Sequence, residues 1–423
     1  MIPRPASQVV PNGTPQSQDV PIGTMAVLMA SVFTVSMGFG VLLPMLPALI
    51  ERLLGPGASA AEVARSTGLL TGLYTLSLFL FAPLWGHLSD RFGRRGILLL
   101  GLVGFSATML TFSLVEGLVA VYAERLLSGL FAAAVTPVAL AAVSDLATTA
   151  ETRARRLTFV SLSGISGFLL GPMFGVVIAR GIPGGLMAAD AAVSLALPLM
   201  VTGLLALVVS AAVLITVPGG RAGADGSLEQ RAGASAGRWM VPKLLALAFI
   251  VAAGVGVFEV GLALRGKQDL GLSQVQIALM FTECSLVMIV VQAVVFSPWI
   301  RPESTRWFIA PALVGLAVGL VLVPRVADFA TMLIVIGAVA ASAGILSPIL
   351  TYWISAKAGR AQGAQLGKQT AASSLGAAVG SAAGGLLYSG SSVAGASFLL
   401  VAALSAAGAL WSVSLPRSLM ATR

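Results

Sequence analysis

The sequence has very little of the material from which catalytic and metal sites are usually built. It contains one cysteine, Cys284, and one histidine, His87. A single cysteine excludes an intramolecular disulfide and a cysteine-rich metal site. A single histidine argues against a histidine-based metal site and against a catalytic triad. We therefore predict that the chain is not an enzyme and holds neither a metal nor a cofactor.

Charge is also scarce. Only 10% of the 423 residues are Asp, Glu, Lys or Arg, against about 25% in soluble proteins. Hydrophobic residues make up 57% of the chain and the mean hydropathy is +0.97. These values exclude a soluble enzyme and a disordered chain. Because helices satisfy all backbone polar groups within lipid, and because a barrel would show alternating stretches of about ten residues, we predict an all-α membrane protein.

Twelve apolar runs are long enough to span a bilayer, which requires about 20 residues each. They cover roughly 24–49, 67–87, 96–115, 119–145, 157–179, 192–217, 241–264, 274–297, 307–324, 329–355, 364–388 and 393–415. The predicted organisation has five parts: a cytoplasmic tail at 1–22, a six-helix bundle at 23–217, a linker at 218–240, a second six-helix bundle at 241–416 and a tail at 417–423. The linker is rich in Gly, Ala and charge and lacks apolar periodicity. A division into six and six helices is typical of transporters built from repeats.

The net charge of +9 does not indicate nucleic-acid binding, because the basic residues are spread over many short loops. With the N-terminus in the cytoplasm, 18 of the 25 Lys and Arg residues fall on the cytoplasmic side. This bias favours a multi-pass protein of the cell (inner) membrane with both termini inside. The first apolar run is too long for a cleavable signal peptide.

The most specific motif follows the second apolar run and reads Gly86-His-Leu-Ser-Asp90-Arg91-Phe-Gly93-Arg94-Arg95. Gly86 is expected to allow close helix approach and Gly93 a tight turn. Asp90 suits a position where a helix dipole favours an anion. An alternative is that the loop only sets topology through its positive charge.

This stretch resembles the signature of the major facilitator superfamily, G-x-L-x-D-R-x-G-R-R. Early in the fourth run, Arg125-Leu-Leu-Ser-Gly129 is similar to the R-x-x-x-G element of that family. The resemblance implies two six-helix bundles and a conformational latch, in which Arg94 pairs with Asp145 in the outward-facing state and Asp90 faces the eleventh segment. The latch residues it implies are Gly86, Asp90, Arg91, Gly93, Arg94 and Asp145.

The fifth run contains Gly167, Gly171, Pro172 and Gly175 in the pattern G-x-x-x-G-P-x-x-G. This pattern resembles an element of the drug:proton antiporter branch, which has twelve helices. Small residues four positions apart let helices pack closely in lipid, and proline bends a helix. Packing without any bearing on transport remains an alternative.

Two acids of the second half fall inside apolar runs, where an ionisable group is by default a functional candidate. Glu283 lies about ten residues into the eighth run, between Thr282 and Cys284. Since desolvation favours the neutral form of a carboxyl group, Glu283 could carry a proton or pair with a cationic substrate; a permanent structural hydrogen bond is the alternative. Glu259 lies in the seventh run and faces either the cavity or the outer interface.

Three further residues are candidates. Arg125 matches a family arginine that is tied to proton coupling, although it could instead snorkel to the interface. Its neighbour Glu124 points about 100° away on a helix and need not be its partner. Phe39 and Gln292 are possible cavity residues. The first and third runs carry no acid, unlike those of many relatives, so proton coupling is expected to depend on the second half.

We predict a secondary active transporter that exports a small amphiphilic or cationic compound in exchange for protons, by alternating access. The expected partners are a small-molecule substrate, protons and the lipid bilayer, and the expected functional unit is a monomer. Two alternatives stay open: an exporter or facilitator of a particular metabolite, such as an amino-acid derivative, siderophore or sugar, and a membrane receptor that transports nothing.

Overall fold

The computed structural model describes residues 22–112, 114–115, 117–146, 150–180, 191–219, 240–295, 297, 300, 302–357, 362–388, 395–413 and 415. Thirteen α-helices, and no strand, occur within these ranges. They are α1 (Ile22–Leu42), α2 (Leu46–Leu54), α3 (Ala60–Phe92), α4 (Arg94–Phe112), α5 (Leu118–Asp145), α6 (Ala150–Arg180), α7 (Ala191–Thr216), α8 (Met240–Leu264), α9 (Gln274–Val295), α10 (Ile309–Leu322), α11 (Phe329–Lys357), α12 (Gln362–Leu386) and α13 (Ala396–Ser412).

Local sequence signals set where these helices begin and end. A capping box starts α3, because the Ser59 side chain accepts from the Glu62 backbone N–H while the Glu62 carboxylate accepts from the Ser59 backbone. At its other end, Gly93 has a φ of +92° and ends the helix, which confirms the predicted turn. Helix α3 is therefore longer than the apolar run at 67–87, since its capped and charged ends also adopt helical conformation.

Ten helical stretches of the described residues are long and apolar enough to cross a membrane. The first includes both α1 and α2, which are separated by a 3₁₀ turn at Leu43–Met45 that contains Pro44. Helix α13 is apolar but has only 17 residues, and α12 is not among the ten. The chain is thus a multi-pass membrane protein.

Buried apolar side chains form two main clusters. One draws on α1–α7, and the other on α8–α11 and α13 together with Leu43. We call residues 22–219 the N-half and residues 240–415 the C-half. The predicted tails, at 1–22 and 417–423, and the linker at 218–240 lie almost wholly outside the described residues.

Candidate functional site

The two halves touch at the end of the molecule where α3 begins. The Lys267 ammonium lies 3.5 Å from the Glu51 carboxylate. Nearby, the Gln268 side chain donates to the carbonyl of Ala60 at 3.1 Å, and the Gln274 side chain donates to the carbonyl of Pro44, also at 3.1 Å. Each of these contacts joins one half to the other. We call this the closed end.

Glycines along the seam between α3 and α12 show that the halves separate towards the opposite end. Near the closed end, a Cβ atom on Gly68 would lie 2.5 Å from the Cα of Gly385, so the two backbones are in direct contact. At the other end, a Cβ atom on Gly86 or on Gly367 would meet nothing within 4 Å. The prediction that Gly86 serves close helix approach is therefore wrong for this conformation. We call this the open end.

Between the halves lies a cavity of about 250 Å³ with almost wholly apolar walls. The N-half contributes residues of α1 and α6, among them Phe39 and Phe168, and the C-half contributes residues of α8, α9 and α11, among them Phe258 and Phe281. Because both halves supply its walls, a relative movement of the halves changes its shape.

Glu259 carries the only charged side chain among the described residues that line this cavity. Its carboxyl group has no hydrogen-bond or ion-pair partner within the described part of the chain. Of the two locations that the sequence left open for Glu259, the structure shows the cavity. Phe39 also lines it, whereas Gln292 is buried on α9 one turn beyond the lining residue Met288.

Glu283 is not among the residues that line the cavity. On α9 the lining positions are Phe281, Cys284, Ser285 and Met288. At 100° per residue, Glu283 lies on the opposite side of the helix from the centre of this set. Its carboxyl group instead approaches α11.

Arg125 forms a buried ion pair with its neighbour in sequence. Its Nε and Nη2 atoms donate to the two carboxylate oxygens of Glu124 at 2.6 and 2.9 Å, and Arg125 is only 2% exposed. Both the expectation that Glu124 need not be the partner and the snorkelling alternative are therefore wrong. Although the side chains leave α5 in different directions, both are long enough to curve towards each other.

A stack of aromatic rings connects this ion pair to the cavity. The Arg125 guanidinium lies 4.9 Å from the ring centre of Phe112 and 5.6 Å from that of Tyr74. Tyr74 stacks on Phe39 at 5.0 Å, and Phe39 stacks on Phe168 at 5.7 Å. Sequence reasoning missed Tyr74 and Phe168. No motif marks them, and only their aromatic character within apolar runs offered a signal.

The loop motif forms an ion-pair group at the open end of the N-half. Arg94 Nε lies 2.9 Å from an oxygen of Asp145, while Arg94 Nη1 lies 2.5 Å from an oxygen of Asp90 and donates to Ser89. Arg91 lies over the ring of Phe92. Asp90 is largely exposed. The pairing of Arg94 with Asp145 exists in this conformation, and its role as a latch stays a prediction.

The glycines of α6 pack against α1. A Cβ atom on Gly167 would collide with the carbonyl oxygen of Phe33, and one on Gly171 would lie 2.7 Å from the carbonyl oxygen of Met37. At Gly175 a Cβ atom would make only ordinary contact, 3.5 Å from Val41. Pro172 lies inside the helix and is buried. Two glycines of the motif therefore permit backbone contact between helices.

Comparison with known proteins gives one consistent result. A model of the Major Facilitator Superfamily matches residues 28–303. The chain is 27% identical to Multidrug resistance protein 2 of Bacillus subtilis (strain 168) over 376 residues, which cover 86% of this chain and 88% of that protein. It is 25% identical to Quinolone resistance protein NorA of Staphylococcus aureus (strain MRSA252), over 86% of this chain and 89% of that one. Its fold is similar to the crystal structure of a D-xylose–proton symporter, with a TM-score of 0.72, 14% identity and coverage of 93% and 96%.

Proposed function

The chain belongs to the Major Facilitator Superfamily of membrane transporters, and we propose that it exports a small amphiphilic cation across the cell membrane in exchange for protons. The names of its relatives support export, since Multidrug resistance protein 2 and a quinolone resistance protein are similar to it over most of their length. The chemistry of the central cavity supports a cationic substrate.

The observation that carries this proposal is the isolated carboxyl group of Glu259 within apolar walls. Phenylalanine rings and aliphatic groups bind the apolar part of an amphiphile through the hydrophobic effect, and ring faces attract cations. A carboxylate in the same cavity attracts the positive group of the ligand. A sugar would require many polar partners, which these walls do not provide.

Exchange follows because one carboxyl group, that of Glu259, binds two different cations, the substrate and the proton. A protonated Glu259 has no charge to attract the substrate, and a substrate paired with the carboxylate excludes the proton. Substrate and proton therefore use the site in turn. An electrical gradient of 100 mV supplies about 2.3 kcal/mol for each charge moved, and a pH gradient adds to this driving force.

We further propose that the halves rock about the cavity as two six-helix bundles, with α12 and α13 completing twelve membrane spans in a functional monomer. The excess of Lys and Arg in the loops of the open end supports a cytoplasmic location for that end and for both termini. The present conformation is then inward-facing. In this proposal Arg125 holds the N-half wall in place, and Arg94 with Asp145 acts as a latch that is not confined to the outward-facing state, because the pair is already formed in this conformation.

The experiment is substrate uptake into proteoliposomes under an imposed pH gradient, with ethidium as the cationic probe. We expect Glu259→Gln to reduce proton-driven uptake at least tenfold, because the amide cannot exchange a proton. Asp328→Asn is the matched control: it also removes a carboxylate, but one that caps α11 at the closed end, a task that asparagine also performs. Unchanged uptake by Glu259→Gln would overturn the role of Glu259 and the exchange scheme.

A further inference from the structure

Glu283 occupies a place that the exchange scheme does not use. Its side chain leaves α9 on the side opposite to the centre of the set of cavity-lining residues, which runs from Phe281 to Met288. The same side carries Leu279, Leu286 and Val290, all of them large apolar residues that are 40% to 53% exposed. Leu279 lies towards the closed end, where the halves touch, so its exposed side chain does not face a gap between the halves. The surface that it shares with Leu286 and Val290 therefore faces lipid.

Helix α11 forms the other wall of a crevice around this carboxyl group. One oxygen of Glu283 lies 3.2 Å from the point where a Cβ atom on Gly337 would be. The absence of a side chain at Gly337 therefore leaves room for the carboxyl group. Ile334, one turn away on α11, is 74% exposed and extends the apolar lipid-facing surface to this helix. The crevice thus lies at the lipid-facing edge of the seam between α9 and α11.

The carboxyl group has no protein partner that would explain it. Its Oε2 atom is buried and makes no hydrogen bond. Helix α9 carries no basic residue, and the only basic residue of α11 is Lys357 at its far end. The other packed helix, α6, has its described basic side chain, Arg156, near the open end. Two other ionisable groups nearby, Cys284 on α9 and Glu259 on α8, face the cavity and not the crevice around Glu283.

From this geometry we propose that Glu283, Gly337 and the apolar side chains around them form a second site, open to the hydrocarbon of the bilayer, that takes up lipophilic cations from the membrane. An unpaired carboxylate in hydrocarbon is costly, so the site is occupied either by a proton or by a cation whose apolar groups remain in lipid. This inference deepens the proposed function, because it names the phase from which the substrate arrives. It rests on the proposed function only in assuming that the cation bound at this site is then exported.

Carbodiimides distinguish the two acidic sites, since they modify carboxyl groups and can be chosen by solubility. The experiment treats the full-length protein in liposomes with dicyclohexylcarbodiimide, which partitions into lipid, or with a water-soluble carbodiimide, and measures modification of each glutamate by peptide mass spectrometry. We expect Glu283 to react at least tenfold faster with the lipophilic reagent. Equal or faster reaction with the water-soluble reagent would overturn the placement of the site in hydrocarbon.

Binding is tested by protection. We expect tetraphenylphosphonium to slow modification of Glu283 at least fivefold, and we expect the same protection in Glu259→Gln, in which the central carboxyl is absent. Gly337→Leu fills the crevice and should abolish protection, whereas Gly57→Leu, in a closed-end loop where a Cβ atom would meet nothing within 4 Å, should not. Absence of protection by the cation in the wild-type protein, or its loss in Glu259→Gln, would overturn the second site. Neither result depends on whether Glu259 couples transport to protons.

Discussion

Replacing Glu124 with leucine leaves the guanidinium of Arg125 buried without its counter-charge. A guanidinium cannot lose its proton inside a protein, so the charge stays where the bidentate contacts, at 2.6 and 2.9 Å, have been removed. Breaking a buried pair in this way costs about 3–5 kcal/mol. The two cation–π contacts with Tyr74 and Phe112 remain, and they keep the cost from exceeding this range.

The reverse change, Arg125→Met, should cost less. The carboxyl group left behind can take up a proton and become neutral, so the penalty is that of an unpaired polar group, about 1–3 kcal/mol. Two lost cation–π contacts add about 0.5–1 kcal/mol each. Removing both charges in Glu124→Leu/Arg125→Met should restore part of the stability lost in Glu124→Leu, because no uncompensated charge remains.

The two single variants should also differ in their dependence on pH. A carboxyl group that is neutral in the folded protein and ionised in the unfolded chain binds a proton on folding. The stability of Arg125→Met should therefore fall as the pH rises from about 5 to 8, since ionisation favours the unfolded chain. Glu124→Leu should show no comparable trend, because its unpaired group stays charged in both states.

The assay is equilibrium unfolding in mixed micelles at pH 5.5 and 8.0, with the wild-type protein measured alongside the three variants. If Arg125→Met lost as much stability as Glu124→Leu, with the same pH response, the reasoning from protonation would be refuted. An additive double variant would show that the two side chains do not stabilise each other.

Three further predictions concern helix packing and conformational balance. Gly171→Ala should destabilise the protein by about 1–3 kcal/mol in unfolding measurements because its Cβ would press on the Met37 carbonyl; Gly175→Ala should be tolerated, and equal losses would contradict this packing. Arg94→Ala and Asp145→Asn should change the ratio of open-end to closed-end conformers in spin-label distance distributions, and identical distributions would rule out the latch. Glu51→Lys should weaken the closed end by about 0.2–1 kcal/mol, a shift that the charge-swapped Glu51→Lys/Lys267→Glu should reverse; failure of the swap would show that this ion pair does not hold the closed end.

The sequence predicts the helices far better than it predicts what the side chains meet. Long apolar runs allow few structures in lipid, so their positions and the fold class follow from hydropathy. Whether Glu259 or Glu283 faces the cavity depends on the rotation of each helix about its axis. In α8 and α9, apolar residues occupy the lipid face, the packed face and the cavity wall alike, so no amphipathic pattern reveals that rotation.

Two predictions failed for reasons of conformation. From backbone direction alone, Glu124 need not be the partner of Arg125, but the flexible torsions of both long side chains allow these adjacent residues to meet in a buried pocket. Gly86 was expected at a close contact, and the motif does not reveal that its end of the α3–α12 seam is open in this conformation. A sequence alone does not specify which state of a moving molecule will be observed.

Alternating access requires that the cavity is exposed at one end at a time. Its most direct test is double electron–electron resonance on a Cys284→Ala background, with one spin-label pair at Ala61 and Ala327 near the closed end and another at His87 and Ala356 near the open end. We predict that a change from pH 8 to pH 5.5, or addition of the cationic substrate, lengthens one distance while it shortens the other. Distances that stay fixed under every condition, or that change together in the same direction, would contradict alternating access.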